Sequence, residues 1–82
     1  MKKTEVIKII ARFICINEED IESELLDYNV FGNKINLTPM QILSLFFILE
    51  EELGIKLSYD SIKELEKITF RVIIDLCIKE LE

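Results

Sequence analysis

The chain has 82 residues, short enough for one domain spanning 1–82, and with 50% hydrophobic and 32% charged side chains it has the balance of a folded chain. Sixteen acidic against ten basic side chains leave a net charge of −6, which repels phosphate and points away from nucleic acid. With no histidine and two distant cysteines, the residue inventory argues against a zinc site and against His-dependent catalysis.

The longest uncharged apolar run, Ile42 to Leu49, falls far short of the roughly 20 residues that a bilayer needs. The start, Met1-Lys2-Lys3-Thr4-Glu5, carries charge but leads into no charge-free apolar stretch, so neither a membrane span nor a secretory leader is expected. Cys15 and Cys77 do not form a disulfide framework, and both are expected to be buried, reduced thiols in a cytoplasmic protein.

In chain order, Val6, Ile9, Ile10, Phe13 and Ile14 make the one-face stripe of a helix from Thr4 to about Cys15, with Lys8 and Arg12 on its outer side. Asn17, with Asp20 three residues on, can open a short acidic turn that carries Ile21, Leu25 and Leu26 inward. The stretch 27–37 holds Asn29, Gly32, Asn33 and Asn36 and reads as a loop anchored by Tyr28, Phe31 and Ile35. Thr38-Pro39-Met40-Gln41 is a strong helix start. Thr38 and Gln41 can cap each other, and Pro39 at the first helical position lacks an N–H that would have no partner anyway.

That helix should run to Leu53, where Gly54 supplies a left-handed stop. Its apolar residues cover more than one face, so it is either central or carries an outer strip for binding. Leu45, Leu49 and Leu53 suit the core, while Phe46 is ambiguous. Met40, Leu43 and Phe47 form one strip, open to two readings: core packing or partner docking. Ser58 can cap a short helix through Ile62 and Leu65 to about Glu66. Thr69 then caps a last helix with Val72, Ile73, Leu76 and Cys77 inward, and Asp75 and Lys79 outward. Together these make a small all-α bundle with a long first connection.

Several segments resemble the acyl carrier protein family in order and spacing. Val6-Ile7-Lys8-Ile9-Ile10 is similar to its opening V-x-x-I-I segment, and Ile16-Asn17-Glu18-Glu19-Asp20-Ile21 to the turn that follows. Ile35-Asn36-Leu37-Thr38-Pro39-Met40 falls where the family has L-G-x-D-S-L. Leu49-Glu50-Glu51-Glu52-Leu53-Gly54-Ile55 is close to L-E-E-E-F-x-I, and Ile68-Thr69 with Ile74-Asp75 to the closing helix. The resemblance implies an acyl-carrier-like four-helix bundle.

It also implies a lost function. The family's serine carries phosphopantetheine at the start of the second long helix, and Pro39, flanked by Thr38 and Met40, stands at that position without a hydroxyl. The cofactor 4′-phosphopantetheine is therefore expected to be absent. The family's docking acids become Gln41 and Ser44, and the implied partner-docking set is Met40, Gln41, Leu43, Ser44, Phe47 and Glu51. The implied role is non-enzymatic docking to biosynthetic or bacterial peptide-maturation enzymes that offer a basic and apolar patch, with no nucleic acid or membrane partner and the chain itself a monomer.

The Glu50-Glu51-Glu52 run is either a solvated helix end or a recognition element for such basic partners. The alternatives are a working carrier of acyl or aminoacyl groups modified at another serine, and a structural homodimer joined through the same strip. Asp60-Ser61-Ile62 repeats the attachment tripeptide, although too little chain follows Ser61 for the remaining helices. Thr38 and Ser44 offer hydroxyls too, one engaged by capping and the other in mid-helix.

Overall fold

The computed structural model describes residues 2–58, 60 and 67–82, among which four helices and no strands occur, an all-α fold. Helix α1 spans Lys2–Ile14 and packs against both α3 (Pro39–Leu53) and α4 (Phe70–Leu81). Contact on two sides widens its buried arc beyond the expected stripe. Ile7 and Ala11 are buried with Val6, Ile9 and Ile10, whereas Phe13 and Ile14 near the open end are only half-buried. Lys8 and Arg12 face water as expected. The central helix is therefore α1, and α3 lies to its side with an outer face free.

Helix α1 ends on Cys15 in the left-handed region, φ 58°, and the Ile16 amide donates back to the Ala11 carbonyl at 3.2 Å. A position just past the helix end is where glycine usually sits, because a Cβ there is costly. Cys15 is thereby turned out to solvent, which corrects its expected burial.

Helix α2, Glu18–Asp20, continues directly into a π-helical turn, Ile21–Leu25. The Asn17 side chain makes no cap bond, contrary to expectation. Its backbone carbonyl instead accepts from Asp20 at 3.1 Å and Ile21 at 3.3 Å. Ser23 Oγ donates to the Glu19 carbonyl at 2.8 Å, a local bond that competes with the helix ladder within the widened turn. Ile21 and Leu25 are buried and Leu26 half-buried, as their spacing predicts.

The loop after α2 is held through Val30, which is fully buried and absent from the expected anchors. The Val30 amide donates to the Ile68 carbonyl and the Leu37 amide donates to the Val30 carbonyl, each at 2.8 Å. Asn29 pairs with Thr69 in an isolated antiparallel bridge, and Asn29 Oδ1 accepts from the Phe31 amide at 3.0 Å. The Asn36 backbone is left-handed, φ 57°. Phe31 and Ile35 are half-buried, but Tyr28 is 41% exposed, its ring 5.9 Å from Lys34 Nζ, so Tyr28 is no anchor. The loop is tethered to the residues just before α4 by backbone hydrogen bonding, which satisfies the amide of the buried Val30.

Thr69 caps α4, its hydroxyl accepting from the Val72 amide at 3.2 Å. Phe70, Ile73, Ile74 and Cys77 are buried, while Val72 and Leu76 are half-buried rather than inward. Asp75 and Lys79 point outward, as expected. The helix expected from Ser58 to Glu66 falls mostly outside the described residues; Ser58 itself is exposed.

Both bonds of the capping box on α3 are formed. Thr38 Oγ1 accepts from the Gln41 amide at 3.2 Å, and Gln41 Oε1 accepts from the Thr38 amide at 2.8 Å. Gly54 closes the helix at φ 65°, as its position predicts. Thr38→Ala should lower unfolding stability by about 1 kcal/mol, read as a shift of the urea midpoint at constant slope.

Candidate partner-docking site

The cap sets where α3 starts, and the 3.6-residue repeat then divides its side chains. Ile42, Leu45, Phe46 and Leu49 point into the core, with Phe46 only 4% exposed, which settles its face. Leu53 is half-buried rather than fully in the core. The opposite face carries Met40 at 73%, Leu43 at 47% and Phe47 at 61% exposure. Simple core packing of that strip is therefore overturned.

The remaining members of the expected docking set divide. Gln41 is exposed, but its side-chain oxygen is committed to the cap. Ser44 and Glu51 are exposed on α3. The three glutamates do not act as one patch. Glu52 pairs with Arg12 of α1 at 2.8 Å, and Glu50 Oε2 accepts from the Leu57 amide at 2.8 Å, fastening the chain beyond Gly54 to the helix end. Among the described residues Glu51 is the one of the three whose carboxylate has no ion-pair or hydrogen-bond partner. A groove of about 390 Å³ lies at this end of the strip, between Phe47, Glu51, Ile55 and Lys56.

Pro39 is exposed at the first position of α3, so the ring occupies an accessible helix start. The Thr38 hydroxyl beside it accepts the cap bond, and Ser44 lies more than one turn further on. Ser61 is outside the described residues.

Elsewhere, Arg71 grips Asp27 with a two-pronged contact, Nε to Oδ1 at 2.7 Å and Nη2 to Oδ2 at 3.2 Å. The guanidinium's hydrogen bond holds the Asp27 carboxyl below its ordinary range, and the pair joins the loop to the start of α4. Cys77 is fully buried, and loss of hydration pushes its thiol up to about 12. Cys15 borders a groove of about 420 Å³ with Lys8 and Arg12. Among the described residues no cluster of His, Cys, Asp or Glu could hold a metal ion, and no helix is long and apolar enough to cross a membrane.

The two faces of α3 should respond differently to truncation. Leu45→Ala removes a fully buried side chain and should cost about 3 kcal/mol, whereas Phe47→Ala should cost less than about 1 kcal/mol, both measured by urea unfolding. The thiols should also separate. Under native conditions iodoacetamide should add once, at Cys15, and twice after unfolding, read by intact mass. Below pH 9 the Cys77 thiol is neutral in both states; between 9 and about 12 it ionises only in the unfolded chain, so stability should fall across that window, and Cys77→Ala should remove this contribution.

Compared with protein-family models, with curated proteins and with solved structures, the chain gives no significant match.

Proposed function

We propose that this chain is a non-enzymatic, acyl-carrier-related protein that docks to biosynthetic enzymes of the peptide-maturation kind in the cytoplasm. It carries no phosphopantetheine because Pro39 stands where carriers have the attachment serine. The fold meant here is the acyl-carrier-like form of the all-α bundle, with α3 as the recognition helix. One observation carries the reading: the capped helix that starts at Pro39 turns Met40, Leu43 and Phe47 to solvent instead of into the core. Exposing large apolar side chains side by side is unfavourable in water, and a shared partner surface accounts for it.

The absence of a hydroxyl at Pro39 has a direct chemical meaning. Phosphopantetheine is joined to a carrier through a phosphodiester on a side-chain oxygen, and a pyrrolidine ring offers none. Without a tether there is no thiol on which to carry cargo, so what remains of the carrier design is its surface.

Incubation with a broad-specificity phosphopantetheinyl transferase and coenzyme A should leave the intact mass unchanged. A gain equal to one phosphopantetheine, mapped to Ser61, Thr38 or Ser44, would replace this reading with that of a working carrier. Sedimentation should give the mass of a monomer; a dimer dispersed by Phe47→Ser would establish the structural-subunit alternative instead.

A further inference from the structure

We infer that residues 26–30 form a strap latched onto the first turn of α4, which lifts and recloses as one unit while the rest of the bundle stays folded. The inference concerns the loop and α4, and it stands apart from the docking reading of α3.

The latch joins two stretches far apart in the chain at four points. The Leu26 carbonyl accepts from the Arg71 amide at 3.1 Å, and the Asp27 carboxylate holds the Arg71 guanidinium. Asn29 pairs with Thr69 in the isolated bridge, and the Val30 amide donates to the Ile68 carbonyl at 2.8 Å. Arg71 is the second residue of α4, so its amide has no partner within the helix. Leu26 supplies that partner, as Thr69 does for Val72. The strap thus completes the start of α4.

The four contacts hold or fail together. Drawing the Val30 side chain out of the core also pulls its amide off Ile68. A strap held by only some of its contacts would bear the same entropy cost for less return.

Little else keeps the strap down. Within 26–37 only Val30 is buried, and the Asp27–Arg71 pair lies in water, where it contributes modestly. Helices α1 and α3, by contrast, bury Val6, Ile7, Ile10, Ile42, Leu45 and Leu49. Local stability follows buried apolar contact, which puts the strap at the low end of this molecule. Its motion reaches α3 as well. The Leu37 amide is bonded to the Val30 carbonyl, and Leu37 directly precedes the Thr38 cap, so the strap links the starts of α3 and α4.

The test is native-state hydrogen exchange of the full chain, followed by amide NMR, in the regime where exchange reports the opening equilibrium. The Val30 and Arg71 amides should show the same protection, at least about tenfold below the slowest amides of α1 and α3. Over the first molar of urea the slowest core amides should lose about fivefold in protection and the two strap reporters less than about twofold, because lifting the strap exposes little surface. Asp27→Asn should lower protection of both reporters about threefold, and Val30→Ala about tenfold or more. Glu52→Gln breaks the pair between Arg12 and α3, which survives when the strap lifts, and should leave both reporters unchanged.

Protection of Val30 and Arg71 that differs by more than about threefold, or Asp27→Asn acting on one of them alone, means separate fraying and overturns the strap. Protection and urea slope equal to those of the core mean that the latch opens only when the whole chain unfolds, which overturns it too. Both readouts exist in the unsubstituted chain, so the inference is decided even if Val30→Ala does not fold.

Discussion

The reciprocal bonds between Thr38 and Gln41, with Pro39 between them, determine where the third helix begins, and the 3.6-residue repeat sets the angles between the side chains along it. Packed on α1, the helix buries Ile42, Leu45 and Leu49 in the core and leaves Met40, Leu43 and Phe47 outside. A helix this apolar could have been the centre of the bundle. Helix α1 takes that role instead, because it packs on both α3 and α4, and α3 keeps one face in water. Burial on one side holds the helix in place, and its other side remains available for recognition.

The acidic character of the chain conceals an uneven division of labour. The Glu50 carboxylate fastens the segment after Gly54, Glu52 joins α3 to α1, and Asp27 joins the loop to α4 through Arg71. These charges are spent on architecture at the surface, where each contributes modestly because water and salt screen it. Glu51 is different, since it borders the apolar ridge while its neighbours in sequence hold the fold together. The proposed loss of the carrier tether fits this surface: without a prosthetic arm to present, recognition would rest on the exposed ridge of α3.

The punctuation of α3 and α4 was legible in the residues because it is local, whereas the Asn17 side chain left α2 uncapped. Thr38, Pro39, Gln41, Gly54 and Thr69 act within four residues of themselves, and each does what its chemistry predicts. The long loop was less legible. Tyr28, chosen for size, lies in water, whereas Val30 is buried by a backbone pair with Ile68, and nothing within 27–37 announces that distant partner. Cys15 was misjudged for a related reason: thiols are usually buried, but its left-handed backbone at the end of α1 turns it outward.

By itself, the sequence determined the helical class, the caps of α3 and α4 and the want of a hydroxyl at Pro39, because periodicity, turn chemistry and side-chain identity are properties of neighbouring residues. Tertiary structure alone decided which side of α3 meets water, which glutamates are engaged and which loop residue is buried. Those outcomes depend on where α1, α4 and the loop come to rest, and burial is set by contacts among residues far apart in the chain.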